Sequence, residues 1–160
     1  MLMSDEKIIK VTDRMRVLCS RREYCCADIL KKATDALDGD RSAAAGIVAR
    51  LIEEKYLDDL RYACAFARDK SSIQGWGSVK IRFILSSKGV SAENIALALE
   101  EVEQDRAESR LDKLIQTKAR SLKDDPQIRL KILRYALGRG YSYEEVQSSM
   151  NRVFRSMEEL

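Results

Sequence analysis

The sequence holds no histidine, one proline, one tryptophan and seven glycines in 160 residues. Without histidine, neither a Ser–His nor a Cys–His nucleophile can be assembled. So few turn formers argue against a β-sandwich, and long stretches without breakers favour helices. The pattern contains no strand. No apolar run approaches the roughly 18 residues that would span a bilayer. MLMSDEK lacks an apolar h-region, so no signal peptide is expected. The four cysteines (Cys19, Cys25, Cys26, Cys64) form no CxxC pair, which argues against structural zinc. They are expected as free thiols in a reducing cytoplasm. No GK[ST] phosphate loop occurs, so any nucleotide hydrolysis belongs to a partner. No metal and no cofactor are expected, and an enzyme is the poorest reading.

What is present is charge, and it is segregated. Twenty-nine basic and 26 acidic residues leave a net charge of +3. From Lys70 to Ala92 there are four cations and no carboxylate. From Lys113 to Tyr143 there are eight cations against Asp124 and Asp125. Acid gathers at Glu100, Glu101, Glu103 and Asp105, and again at Glu158 and Glu159. Such stretches suit a polyanionic partner. They also suit ordinary solvated helix faces.

Apolar spacing sets the helices. Ala44, Ile47, Val48, Leu51 and Ile52 form an i, i+3, i+4 stripe over 43–52, capped by Asp40 or Ser42 and ending near Lys55. Asp58 is a cap candidate for a helix over 59–70, with Leu60, Ala63, Phe66 and Ala67 inward. Tyr56 and Leu57 are read as core. Helix formation pauses at SSIQGWG, where Gly75 and Gly77 permit backbone angles that a Cβ would penalise. It resumes over 78–87 and stops at Gly89, free to take the left-handed cap conformation. Ser91 caps the next helix, with Ile95, Leu99 and Val102 inward. A polar helix covers 105–121, and Pro126 sits in the first turn of the one after. Gly138 and Gly140 end that helix, and Ser142 with Glu145 forms a capping box for the last.

Three segments share one pattern: RREYCCADIL (21–30), QGWGSVKIRF (74–83) and RGYSYEEVQS (139–148). Each has an aromatic (Tyr24, Trp76, Tyr141), then a small residue (Cys25, Gly77, Ser142). An aliphatic follows five after the aromatic (Ile29, Ile81, Val146). The aromatic plugs a junction between two helices, the small residue starts the second, and the aliphatic faces inward. Three matched junctions suggest tandem helical modules.

These strings carry a family resemblance. EEKYLDDLRYACAFARDK (53–70) followed by GWGSVKIRFILSSKGVSAENIALAL (75–99) resembles the central module of the RecX regulatory proteins. So do SRREYCCADIL and LRYALGRGYSYEEV on either side, and the resemblance runs over roughly residues 14–150. Leu60, Tyr141 and Cys25 depart from the family pattern. The resemblance implies an all-α protein of tandem three-helix modules, each similar to a helix-turn-helix, forming a curved elongated array. The modules would be 1–55, 56–103 and 104–160. It implies a monomeric, cytoplasmic, non-enzymatic protein of DNA repair, recombination and the SOS response. Such a protein binds the RecA filament on DNA, touches single-stranded DNA indirectly or weakly, and usually inhibits recombinase, ATPase and coprotease activities. A free-standing helix-turn-helix DNA binder without a recombinase partner is the alternative.

The cations nearest the junctions are Arg21, Arg22, Lys80, Arg82, Lys88 and Arg139. The resemblance puts them near a basic face for filament or DNA. Lys80 and Arg82 lie about 100° to either side of Ile81 on their helix. They can snorkel past the apolar stripe toward phosphate, or simply be solvated. Phe83 lies roughly opposite Ile81, either packed on a neighbouring module or exposed as an anchor. Trp76 and Tyr24 either plug junctions or stack on bases.

Overall fold

A computed structural model describes residues 4–104 and 107–158, the side chains of 103 and 104 excepted. The expected helix start at residue 105, and the acidic positions Asp105 and Glu159, lie outside the described residues. Among the described residues there are nine α-helices and no strand. They are α1 (Asp5–Arg21), α2 (Cys26–Ala36), α3 (Arg41–Glu53), α4 (Asp59–Ser72) and α5 (Ser78–Ser87). After these come α6 (Ala92–Gln104), α7 (Ala107–Ser121), α8 (Ile128–Gly138) and α9 (Tyr143–Glu158). The fold is all-α. None of the described helices is long and apolar enough to cross a membrane.

The chain divides into two compact units, one of Met1–Ala65 with Leu85–Ile95 and one of Phe66–Ile84 with Ala96–Leu160. Helices α4, α5 and α6 contribute residues to both.

In the first unit, α1, α2 and α3 bury Val11, Met15, Ile29, Ala33, Leu37, Ala44, Ile47 and Leu51 together with Tyr24 and Leu57. The spacing of Ala44, Ile47 and Leu51 follows the helical period that the sequence shows. Ile52 does not follow its stripe: it is 49% exposed. At eight residues beyond Ala44 it has turned about 80° away from it, to the edge of the stripe that Ala44, Ile47 and Leu51 fill. Asp40, not Ser42, caps α3, its side chain accepting from the Ala43 N–H at 3.0 Å. Helix α1 was not delimited by the sequence pattern, yet its signals are ordinary ones. Ser4 caps it through the Lys7 N–H, and Asp5 and Glu6 occupy the electropositive first turn. Arg16 ties α1 to the end of α3 through a two-pronged bond to Glu54, at 2.9 and 2.7 Å.

In the second unit, α7, α8 and α9 bury Leu111, Ile115, Ala119, Ile132, Ala136, Tyr141, Val146, Met150 and Val153. Ser142 and Glu145 form the expected capping box: the Glu145 N–H donates to Ser142 Oγ at 3.2 Å, and the Ser142 N–H to Glu145 Oε2 at 3.1 Å. Pro126 lies ahead of α8 rather than in its first turn, because Asp125 closes a turn there. Its carboxylate accepts from the Gln127 N–H at 2.8 Å and from Lys131 Nζ at 2.5 Å. That turn holds Asp124 at φ +69° and delays the helix to Ile128. Phe83 is 71% exposed.

Candidate functional site

Three helix starts follow the three repeated junctions, and each satisfies its free N–H groups differently. Cys25 caps α2 without a side-chain bond, and the Cys26 N–H instead donates to Asp59 Oδ1 at 2.8 Å. Asp58 beside it accepts from the Arg61 N–H at 3.1 Å and caps α4. The LDD string therefore places two neighbouring carboxylates on the starts of two different helices. At α5, the Val79 N–H donates to the Gly140 carbonyl at 2.9 Å, and the Gly77 N–H donates to the Arg139 carbonyl at 2.8 Å. At α9 the box is local.

The glycine-rich junction carries a cluster of cations and rings within the second unit. Gly75 takes φ +68°, the left-handed angle that glycine accepts without a steric penalty. Gly77 is glycine for a different reason than its backbone angle. A Cβ there would overlap the Gly140 carbonyl, so the requirement is space. Trp76 is half-buried, with the edge of Phe66 at 6.2 Å between centroids. Lys80 Nζ lies 4.2 Å and Lys70 Nζ 4.8 Å from the Trp76 ring centre. Arg139 reaches the same turn: its Nη2 would lie 3.8 Å from a Cβ at Gly75. Its guanidinium also stands 5.7 Å from the Tyr135 ring, which Lys118 approaches to 4.6 Å. Among the described residues, these four cations rest on or beside rings and none pairs with a carboxylate. The Nε of Arg139 is buried without a hydrogen-bond partner. A cation over a ring keeps its charge and most of its outward donors.

The sequence candidates fall into two sets. Lys80 and Arg139 join Lys70 and Lys118 in this cluster, and Arg82 stands exposed on α5. In the first unit, Arg21 is exposed at the end of α1, and Arg22 lies 4.0 Å over the ring of the buried Tyr24. Lys88 is engaged by Asp28 at 3.1 Å, and that bond raises its pKa. Lys70 and Lys118 were visible only as members of cationic stretches. Lys70 shares Trp76 with Lys80 and also lies 5.5 Å from the Phe66 ring, while the ring under Lys118, Tyr135, lies outside the junction strings.

The thiols offer little nucleophilic chemistry. Burial, and then the Asp59 carboxylate, pushes Cys26 up to about 12, and burial raises Cys19 and Cys25 as well. None of the four cysteines forms a disulfide. No group of three metal-ligating side chains occurs among the described residues.

Residues 58–99 match the family model for the second three-helix domain of RecX, and residues 101–150 that for its third. "Regulatory protein RecX" of Salmonella typhi is 28% identical over 127 residues, covering 79% of this chain and 76% of that protein. The protein of that name from Salmonella typhimurium aligns to the same extent. The solved RecX structure from Lactobacillus salivarius superposes with a TM-score of 0.83 at 20% identity, over 94% of this chain and 98% of that one. A crystal structure of regulatory protein RecX gives 0.80 at 22% identity, over 91% and 72%. The two family matches together take in Asp58 and Asp59, the glycine–tryptophan–glycine turn and the last capping box, and with them this chain belongs to the RecX family.

Proposed function

We propose that this chain is a non-enzymatic regulator of a RecA-type recombinase, acting in the cytoplasm as a monomer. It binds the recombinase filament on single-stranded DNA and lowers its ATPase, strand-exchange and coprotease activities. Three helix-turn-helix-like modules, 1–55, 56–103 and 104–160, make up the binding surface. The observation that carries this reading is the set of cations on Trp76 and Tyr135: Lys70 and Lys80 over the first ring, Lys118 and Arg139 over the second, none with a carboxylate partner among the described residues. Each phosphate neutralised by such a cation adds salt-dependent affinity. Lys80, Arg82 and Arg139 are the strongest contacts in this reading. Arg21, Arg22 and Lys88 are the lesser ones, Lys88 because Asp28 already engages it.

The test is recombinase ATPase driven by single-stranded DNA, with this protein titrated in beside a Lys80→Glu/Arg82→Glu variant. Inhibition that the variant weakens supports both the activity and the site. Inhibition unchanged by the variant keeps the activity and moves the site. No inhibition, with tight and sequence-selective binding to naked duplex, replaces this reading with a free-standing DNA binder.

A further inference from the structure

Gly77 and Gly140 stand in two turns far apart in sequence, and within the second unit those turns meet backbone to backbone. The Gly77 N–H donates to Arg139 O at 2.8 Å, and the Val79 and Lys80 N–H groups donate to Gly140 O at 2.9 and 3.4 Å. A Cβ on Gly77 would overlap Gly140, and a Cβ on Gly140 would overlap the Cβ of Lys80. Gly140 also takes φ +97°, outside the range most side chains adopt. Gly140 adjoins Arg139 in the chain, and Gly77 lies three residues ahead of Lys80. Lys80 is itself a donor to the lock, and Arg139 supplies the carbonyl that receives Gly77.

We propose that Gly77 and Gly140 are positioning residues, whose backbone lock holds Lys80 and Arg139 as one composite cation pair for a phosphate of a nucleic-acid backbone. The inference rests on the reading of the cluster given above and adds how the cluster is built. Two long flexible cations on separate turns would each spend rotamer freedom to reach one anion. A fixed backbone under both removes the larger uncertainty, the distance between their Cα atoms. The buried Nε of Arg139 fits the same account: no protein acceptor takes its N–H.

Two measurements on the full chain test this. The first is amide hydrogen exchange on the unmodified protein. The first N–H groups of a helix have no intrahelical acceptor and exchange fast when they face water. The lock predicts that Val79 and Lys80 exchange as slowly as the core amides of α9. Fast exchange at both overturns the proposal. The second is a double-mutant cycle with Lys80→Ala and Arg139→Ala, read as binding to a dT30 oligonucleotide across a salt series. Each substitution is expected to weaken binding by about 5-fold, and the double by only about 5- to 10-fold, because one cation aligns the phosphate for the other. A double effect near the product, about 25-fold, means two independent contacts and overturns the pair. No effect from either substitution overturns the cluster as an anion site, while exchange at Val79 and Lys80 still reports on the lock. Gly140→Ala is expected to make the two effects multiplicative and to free both amides. Gly138→Ala, whose Cβ would meet nothing within 4 Å, is expected to leave both readouts unchanged.

Discussion

The starts of α2 and α5 follow the same string of aromatic, small residue and distant aliphatic, yet they are finished by different chemistry. Helix α2 is completed by a side chain, the Asp59 carboxylate on the Cys26 N–H. Helix α5 is completed by a main chain, the Gly140 carbonyl. A carboxylate on a helix start adds charge to the hydrogen bond and tolerates small shifts of its own backbone. A carbonyl from another turn adds no charge but demands that two backbones touch, which only glycine allows here. The first solution leaves the junction free to vary in its small residue, and Cys25 stands there. The second fixes glycine at two positions. One repeat pattern therefore hides two rules for substitution.

The comparison can be broken most sharply at Gly77. Gly77→Ala places a Cβ into the Gly140 carbonyl, and neither backbone can yield alone. A loss of about 3 kcal/mol is expected in urea unfolding, the size of an overpacked core site. A loss below about 1 kcal/mol would mean the two turns separate easily. Asp59→Ala should be smaller, about 1–2 kcal/mol, since it removes one charged acceptor from a helix start. Ser142→Ala at the local box should cost about 1 kcal/mol by the same assay. If Ser142→Ala proves costlier than Asp59→Ala, the remote cap is incidental.

Two further outcomes concern ionisation. Burial and the Asp59 carboxylate push the Cys26 thiol up to about 12. Asp59→Asn keeps an acceptor oxygen but removes the charge, so Cys26 should react with a thiol reagent several-fold faster near neutral pH, read by mass spectrometry. Unchanged labelling would leave burial as the whole cause. Glu54, bonded by Arg16, is held down to about 2. Its folded pKa is depressed, so its contribution is present above the unfolded value of about 4.3 and is lost as pH falls toward about 2. Glu54→Gln should lower the melting temperature modestly at neutral pH, where the ion pair is intact, and flatten its fall across that acid window, so that the two proteins converge near about pH 2.

How much of this was legible in the sequence depends on how local each cause is. Asp58, Ser91 and the Ser142–Glu145 box are caps three residues long, and spacing alone reads them. Gly89, at φ +78°, is likewise a local stop. Asp59 was legible as a capping type but not as the cap of α2, because its partner lies 33 residues earlier. The lock between Gly77 and Gly140 has no local signature, since the chemistry is a carbonyl, which every residue carries. Lys70 and Lys118 were legible as charge and not as members of one site, for the rings that hold them are set by packing. Ile52 shows the opposite case: a correct period, counted one residue past the width of the buried face.

The lock at α5 also has a consequence in time. During synthesis the chain appears from its N-terminus, at roughly 5–20 residues per second. Helix α9 can begin as soon as its own first turn exists, for its box closes over three residues. Helix α2 waits for Asp59. Helix α5 waits longest, because the carbonyl that finishes its first turn belongs to Gly140, near the end of the sequence. For several seconds the nascent chain thus carries a helix whose N-terminal donors face water, and the middle repeat is completed only when the last one arrives.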